Sequence, residues 1–273
     1  MRFKKWLERT MPPVSALARR TVWSMDPRAR RSRSKLRALK GIHAGQRCVV
    51  IGNGPSLKKT DLSLLRDEVT FSLNRGYLFY DRIGRPCNYH VTVNGLVVEQ
   101  FHEELETIDN TRFVTWGQRH PLPYDTDTIF IGGPMLDVTP RFCTDPSVDL
   151  WTGATVTYVA LQLAYYLGFK QVILIGVDHS FKTQGRANKE VVSEGEDPNH
   201  FHPGYFGKGI RWQLPDLETS EIAYSLAKQA FEADGRQILD ATPGGKLDVF
   251  PKVDYKEIIT RPFTGDSPAS AGS

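Results

Sequence analysis

Several signatures that would place a chain quickly are missing from these 273 residues. No apolar run approaches the roughly 20 residues that a bilayer-spanning helix needs. The longest candidate, residues 156–169, is interrupted by Gln162 and reads as a core helix. Only three cysteines occur, Cys48, Cys87 and Cys143, with no pair spacing. Two lie in strand-like apolar runs, so a reduced, intracellular setting fits best. The amino-terminal segment lacks the sustained apolar core of a secretory signal, and no internal repeat is present. The Lys-Ser/Thr ending of a P-loop and the Gly-x-Gly-x-x-Gly spacing of a dinucleotide fold are both absent. This speaks against ATP held in a P-loop and against NAD. What remains is ordinary globular composition, 40% hydrophobic and 24% charged, enough for one large α/β domain or two small ones.

The net charge of +4 hides an asymmetry: residues 1–40 hold 13 Lys/Arg and 2 Asp/Glu, and the remainder 22 and 29. The pattern describes a basic arm, residues 1–44, joined to a mildly acidic body. Arg2 to Leu7 opens a short amphipathic helix that stops near Pro12-Pro13, and a second piece runs from Val14 to Trp23. Arg28-Ala29-Arg30-Arg31-Ser32-Arg33 follows. Such an arm suits anionic lipid headgroups, with Trp6 and Trp23 as interfacial anchors. Nucleic-acid contact and a solvated leader are the competing readings.

The body is organised around Cys48-Val49-Val50-Ile51-Gly52-Asn53-Gly54-Pro55-Ser56-Leu57. A strand-type run breaks into a Gly-rich turn that brings bare backbone N–H groups and one amide to a strand end. In an open α/β sheet this is where a nucleotide is held. Strands are expected at 47–51, 69–74, 89–94, 112–116, 128–131, 171–176 and 237–240. Helices are expected at about 97–105, up to Leu167, and at 217–233. Thr152 is expected to cap the helix ending at Leu167, with Gly153 letting a ligand approach its N-terminus.

Three early strands end in Asn: Asn53, Asn74 and Asn94. Strand-end side chains face the crevice, and an amide offers both donor and acceptor, so three together can read a base, a ribose or a phosphate. The competing explanation is turn chemistry, since Asn suits left-handed and capping positions. Gly176-Val177-Asp178-His179-Ser180 follows the central strand, and Asp178 is placed to hold a ribose hydroxyl, a metal or a loop backbone. Residues 181–215 form a long polar stretch of lid type. His200, His202, Tyr205, Lys208 and Arg211 fall within 14 residues of it. His suits proton transfer, Lys and Arg suit phosphate, and the His-x-His spacing is weak for zinc. Residues 264–273 read as a disordered tail.

Over roughly residues 45–245 the body resembles the bacterial sialyltransferases of glycosyltransferase family 42. It also resembles the related MptE-like domains, named for a 6-hydroxymethylpterin diphosphokinase. The resemblance rests on Gly52-Asn53-Gly54-Pro55-Ser56-Leu57, Asn74, Asn94, Thr152-Gly153 and Leu174-Ile175-Gly176-Val177-Asp178. It implies a single Rossmann-like α/β domain (residues 45–263), a mostly parallel sheet flanked by helices with a lid at about 181–215. It further implies inverting transfer of a 2-keto sugar acid, such as sialic acid, Kdo or a related nonulosonic acid, from a CMP-activated donor. The nucleotide and donor would be bound by Gly52, Asn53, Gly54, Pro55, Ser56, Asn74, Asn94, Thr152, Gly153, Gly176, Asp178 and Ser180. The family's lid histidine, the general base, falls on His200 or His202. The sialyltransferases stabilise the departing phosphate with tyrosine hydroxyls placed after the Gly-x-Asp strand. Here Ser180 stands at that point, which leaves Tyr205, Lys208 or Arg211 as substitutes.

The expected partners are a CMP-sugar donor, a glycan or glycolipid acceptor of bacterial lipopolysaccharide or capsule, and an anionic membrane surface met through the arm. No nucleic acid is expected, and a homo-oligomer is compatible. The expected location is the cytoplasmic face of the inner membrane, and no metal or other cofactor is expected. The MptE-like alternative is an ATP-dependent pyrophosphokinase that would require Mg²⁺. A non-catalytic nucleotide- or glycan-binding component is the third reading.

Overall fold

The computed structural model describes residues 21–123, 128–133, 139–183 and 185–265. The expected helix at residues 2–7, Trp6, the start of the second helical piece and all but two residues of the tail lie outside the described residues.

Seven parallel strands form one sheet: β1 (Arg47–Ile51), β2 (Thr70–Leu73), β3 (Tyr89–Thr92), β4 (Thr111–Thr115), β5 (Thr128–Ile131), β6 (Gln171–Ile175) and β9 (Gln237–Asp240). Their order is β5-β4-β3-β2-β1-β6-β9. The chain works outward from β1 to β5, then returns to lay β6 on the other side of β1. The β1/β6 boundary is therefore the topological switch point of a Rossmann-like, doubly wound sheet, where such folds open a crevice. Strands β1, β5 and β6 are near-continuously apolar because both faces are covered, whereas β2, β3 and β4 carry buried polar residues such as Ser72, His90 and Arg112. Alternate residues divide between the layers: Cys48 and Val50 enter one core, Val49 and Ile51 the other.

Helix α1 (Pro27–Leu39) shows why these residues make a helix. Asp26 caps it by accepting from the Arg28 N–H at 2.7 Å, Pro27 opens it, and no β-branched residue interrupts it. Ala29, Ser32 and Leu36 are buried against the body. The Ser32 hydroxyl accepts from the Phe130 N–H at 2.9 Å, which satisfies a donor on the edge strand β5. Trp23 is buried and meets Trp116 edge to face at 5.1 Å. This corrects the expected boundary: the folded body begins before residue 45. It also withdraws Trp23 as an interfacial anchor, because its ring fills a core. Arg30, Arg31, Arg37 and Lys40 remain on the exposed face.

Helix α2 (Gly95–Glu106) follows β3. Helix α3 (Val156–Leu167) buries ten of its twelve residues beneath β1–β3, so it is apolar all round. Its Gln162 is a buried strap, donating to the Trp151 carbonyl at 2.8 Å and accepting from the Cys143 N–H at 3.0 Å. Helices α4 (Leu217–Ala233) and α5 (Tyr255–Thr260) complete the layers. Among the described residues no helix is long and apolar enough to cross a membrane.

The lid has more structure than its composition suggests. Strands β7 (Glu190–Val192) and β8 (Arg211–Gln213) pair antiparallel. Phe201, Tyr205, Phe206 and Trp212 enter the same core as Val49 and Ile51. The polar stretch is therefore pinned by its aromatics.

Candidate functional site

At the switch point the two strand-end loops touch backbone to backbone. The Gly52 N–H donates to Ile175 O at 2.7 Å and the Gly54 N–H to Gly176 O at 2.9 Å. A Cβ on Gly52 would stand 2.3 Å from Gly176 O, and one on Gly54 1.8 Å from an Asp178 carboxylate oxygen. This corrects the expected role of the Gly-rich turn. Its glycines admit a neighbouring loop, and the N–H groups of Gly52 and Gly54 are spent on it rather than left bare for phosphate. Asp178 holds the same joint: its carboxylate accepts from the Ser56 N–H at 3.0 Å and the Ser56 hydroxyl at 2.6 Å. Burial pushes its pKa up, against the two Ser56 hydrogen bonds that lower it. Of its three anticipated roles, it performs the loop-backbone one. Pro55 and Ser56, expected to bind the donor, begin the 3₁₀ turn after this loop and are not among the residues that line the crevice.

The crevice beyond this joint has a volume of about 370 Å³ and collects the ends of β1, β2, β3 and β6, the start of α3 and α4, and the lid. Gly52, Asn53, Gly54, Asn74, Asn94 and Gly176 line it, as do Thr152, Asp178 and Ser180.

The three asparagines part ways. Asn53 donates its amide N–H to Leu73 O at 2.9 Å, which leaves its side-chain oxygen buried and unpartnered. The Asn74 side-chain oxygen is likewise buried and unpartnered, and its backbone is left-handed at φ 49°. Asn94 spends its oxygen capping α2, accepting from the N–H groups of Leu96 at 2.9 Å and Val97 at 3.3 Å. For Asn94, capping chemistry accounts for the residue. For Asn53 and Asn74 the structure leaves two buried, unpartnered acceptors on residues that line the crevice, and buried acceptors call for a donor.

Two further expectations change. Thr155, not Thr152, caps α3, accepting from the Thr157 N–H at 3.3 Å. Gly153 and Ala154 are left-handed, at φ 56° and 59°, and hold the helix off until Thr155. Gly153 admits protein, not ligand: a Cβ there would lie 2.5 Å from Ala223 and 2.6 Å from Tyr158.

The lid brings His200 to the crevice. Its Nδ1 meets Asp197 Oδ2 at 2.7 Å. Asp197 is itself buried and accepts from the N–H groups of Asn199 at 2.8 Å and Phe206 at 3.0 Å. His200 stacks on Tyr205, and Phe206 meets it edge to face. A carboxylate on Nδ1 fixes the ring and leaves Nε2 for proton transfer. His202, by contrast, is exposed, lies outside the crevice, and accepts from the Gly204 N–H at 3.1 Å. The phosphate candidates also separate. Tyr205 lines the crevice, but its hydroxyl accepts from the Arg75 N–H at 3.3 Å, and burial raises its pKa. Lys208 is exposed outside the crevice, and Arg211 points outward to Glu99 at 2.7 Å and Glu190 at 3.3 Å.

Sequence reasoning passed over Asp197, His179 and Thr155. The Asp197-x-x-His200 spacing was the available signal for the first. His179 stands at the crevice in a left-handed backbone, φ 52°, with Nε2 2.9 Å from Glu221 Oε1.

Asp178 is the one carboxylate among the described residues lining the crevice, and Ser56 holds its oxygens. This donor set does not fit the Mg²⁺ of a nucleoside-triphosphate site. Among the described residues no group of three or more His, Cys, Asp or Glu is placed to hold a metal ion.

No protein-family model matches the chain, and no curated protein does. Among solved structures the chain is similar to the sialyltransferase CstII from Campylobacter jejuni, determined in complex with the substrate analogue CMP-3FNeuAc. The two share 16% identity over 76% of this chain and 86% of that one, with a TM-score of 0.44. The chemistry of the crevice therefore rests on its own geometry.

Proposed function

We propose that the chain is an inverting glycosyltransferase that moves a 2-keto sugar acid from a CMP-activated donor to a hydroxyl of a bacterial surface glycan or glycolipid. The observation that carries this reading is the pairing of His200 with a buried Asp197 in a switch-point crevice whose other polar groups are mainly neutral amides and hydroxyls. Hydrolases that need two carboxylates and enzymes that need a divalent ion find no matching side chains among the residues described there. Asn53 and Asn74 offer unpartnered oxygens, suited to the amino group of cytosine or to ribose hydroxyls.

In the reaction His200 Nε2 takes the proton of the acceptor hydroxyl while that oxygen bonds to the anomeric carbon. The bond from that carbon to the phosphoryl oxygen breaks, and its electron pair leaves with CMP. Asp197 stabilises the imidazolium that forms. Phe206 and Trp212, stacked with centroids 5.6 Å apart beside His200, keep water from competing. The exposed face of α1, with Arg30, Arg31, Arg37 and Lys40 and the nearby exposed Met25, suits an anionic membrane surface where lipid-linked acceptors reside. Peripheral action at the cytoplasmic face is part of this proposal, supported by that basic face.

The test is CMP release from CMP-sialic acid, CMP-Kdo and CMP-activated nonulosonic acids, with and without lipooligosaccharide acceptors. Release that His200→Ala abolishes supports the reading. Absence of turnover with every donor, accompanied by tight nucleotide binding, would instead make the chain a binding component.

A further inference from the structure

The leaving nucleotide in this reaction gains a negative charge, because its phosphate passes from a diester to a monoester. An electrostatic partner is needed where that charge develops. The crevice offers no fixed cation: none of the described residues lining it is Lys or Arg. The nearest arginine in sequence to a crevice amide, Arg75, is committed to the lid carbonyls of Gly204 and Tyr205. Arg211 is paired outside with Glu99 and Glu190. Two lining side chains can carry positive charge, His179 and His200. His200 must begin the reaction neutral to act as base.

That leaves His179. It follows Asp178 directly, in the first residues after β6, and lines the crevice on the side of β1 away from β2 and β3. Its left-handed backbone turns the chain there, a conformation His tolerates better than most residues. Its side chain is only 7% exposed. Glu221 of α4 meets Nε2 at 2.9 Å, so Nδ1 is the ring atom left for a ligand. Tyr224, on the same face of α4, flanks the ring at 6.2 Å. Asp178 next to it is occupied by Ser56. The first turns of α3 and α4, at Thr155–Thr157 and Leu217–Ser220, also border the crevice, and both helix dipoles point their positive ends that way.

We infer that the His179–Glu221 pair is the phosphate-recognising group of the crevice, with the His179 imidazolium donating from Nδ1 to the nucleotide phosphate and holding its charge as the sugar departs. The assignment rests on the nucleotide-sugar reading. It gives the chain two histidine–carboxylate pairs with opposite tasks: Asp197–His200 receives the acceptor's proton, and Glu221–His179 meets the leaving group.

Calorimetric titration of the full-length protein with CMP and with cytidine tests the assignment. His179→Asn is the informative variant, because Asn tolerates the left-handed backbone while removing the charge. It is expected to weaken CMP binding about tenfold or more, as loss of a charge-assisted hydrogen bond does, and to leave cytidine binding within about twofold. Glu221→Gln is expected to weaken CMP binding in the same direction, by less. Unchanged CMP affinity in His179→Asn overturns the assignment. Equal losses for CMP and cytidine also overturn it, since they would mark a structural residue. Wild-type protein that binds neither compound overturns the nucleotide reading itself, and this assignment with it.

Discussion

His200 lies flat on Tyr205, with ring centroids 4.0 Å apart and planes 10° apart, while Asp197 holds its Nδ1 at 2.7 Å. One contact sets the plane of the imidazole and the other its tautomer. The ring therefore has a single presentation to the crevice. His200→Ala is expected to lower transfer by about 10²–10⁴-fold, the range for loss of a positioned general base, with folding intact by circular dichroism. Asp197→Asn is expected to lower kcat in the same direction and to leave CMP affinity near wild type. His202→Ala is expected to stay within about twofold, since its ring lies outside the crevice. A large loss in His202→Ala with full activity in His200→Ala would reverse the assignment of the base.

Asn74 allows its amide to be separated from its backbone. At φ 49° a glycine is at home, so Asn74→Gly removes the unpartnered oxygen without straining the turn. The variant is expected to lose about tenfold in CMP affinity, measured by titration, with a melting temperature close to wild type. Asn74→Leu strains the same backbone and is expected to lose stability as well. Asn94→Ser, which preserves the cap on α2, is expected to leave affinity nearly unchanged.

Arg75 fastens the lid. Its guanidinium lies over Phe101 at 3.7 Å, donates to Gly204 O at 2.8 Å and to Tyr205 O, and pairs with Glu104. Its backbone N–H donates to the Tyr205 hydroxyl. Arg75→Met keeps the stem and leaves two lid carbonyls without their donor, a loss of about 2 kcal/mol. Limited proteolysis is expected to cut within residues 181–215 faster in this variant, and the KM for donor is expected to rise. Unchanged cleavage would show that Phe201, Phe206 and Trp212 hold the lid unaided.

Most strands were legible because a doubly buried parallel strand writes itself as a short apolar run with a turn residue behind it, as in Cys48–Gly52 and Gln171–Gly176. The crevice amides were legible for the same reason: strand ends fix position. Four features were not. The glycines of Gly52-Asn53-Gly54 signalled close approach, but only the fold shows that a second loop, not a ligand, makes it. Gly153-Ala154 delays a helix start that Thr152 would otherwise have capped. The charge of 28–40 masked an apolar stripe at Ala29 and Leu36, too narrow to register against so many arginines. The lid's histidines were visible, but choosing His200 requires knowing that Asp197 is buried and that Arg211 turns outward, which are tertiary facts.

The outward face of α1 makes membrane association measurable. Full-length protein is expected to co-sediment with vesicles containing phosphatidylserine and not with neutral phosphatidylcholine vesicles, and to release as salt rises. Replacing Arg30, Arg31 and Arg37 together with Glu is expected to reduce binding about tenfold or more, since each basic residue near the surface contributes about 1 kcal/mol. These residues are not on the buried face of the helix, so CMP binding is expected to persist. Equal binding to both vesicle types would remove α1 as a docking face.

His90 sets a pH limit on the fold. It is fully buried between Ser72, whose hydroxyl lies 2.8 Å from Nδ1, and Thr92, whose hydroxyl lies 3.0 Å from Nε2. Burial, reinforced by the Arg112 guanidinium, pushes its pKa down from 6.5 to about 3. In the unfolded chain the imidazole takes up a proton near its ordinary pKa, whereas the folded chain refuses one until much lower pH. Between those values the unfolded state binds more protons. Stability is therefore fully present above about pH 6.5 and is lost progressively as pH falls toward 3. From pH 7 to pH 5 this group alone accounts for about 2 kcal/mol. Urea denaturation across that range is expected to show the decline. His90→Gln is expected to be less stable at pH 7 and to lose about 2 kcal/mol less between the two pH values. Parallel pH dependences for wild type and variant would mean that another group sets the acid limit.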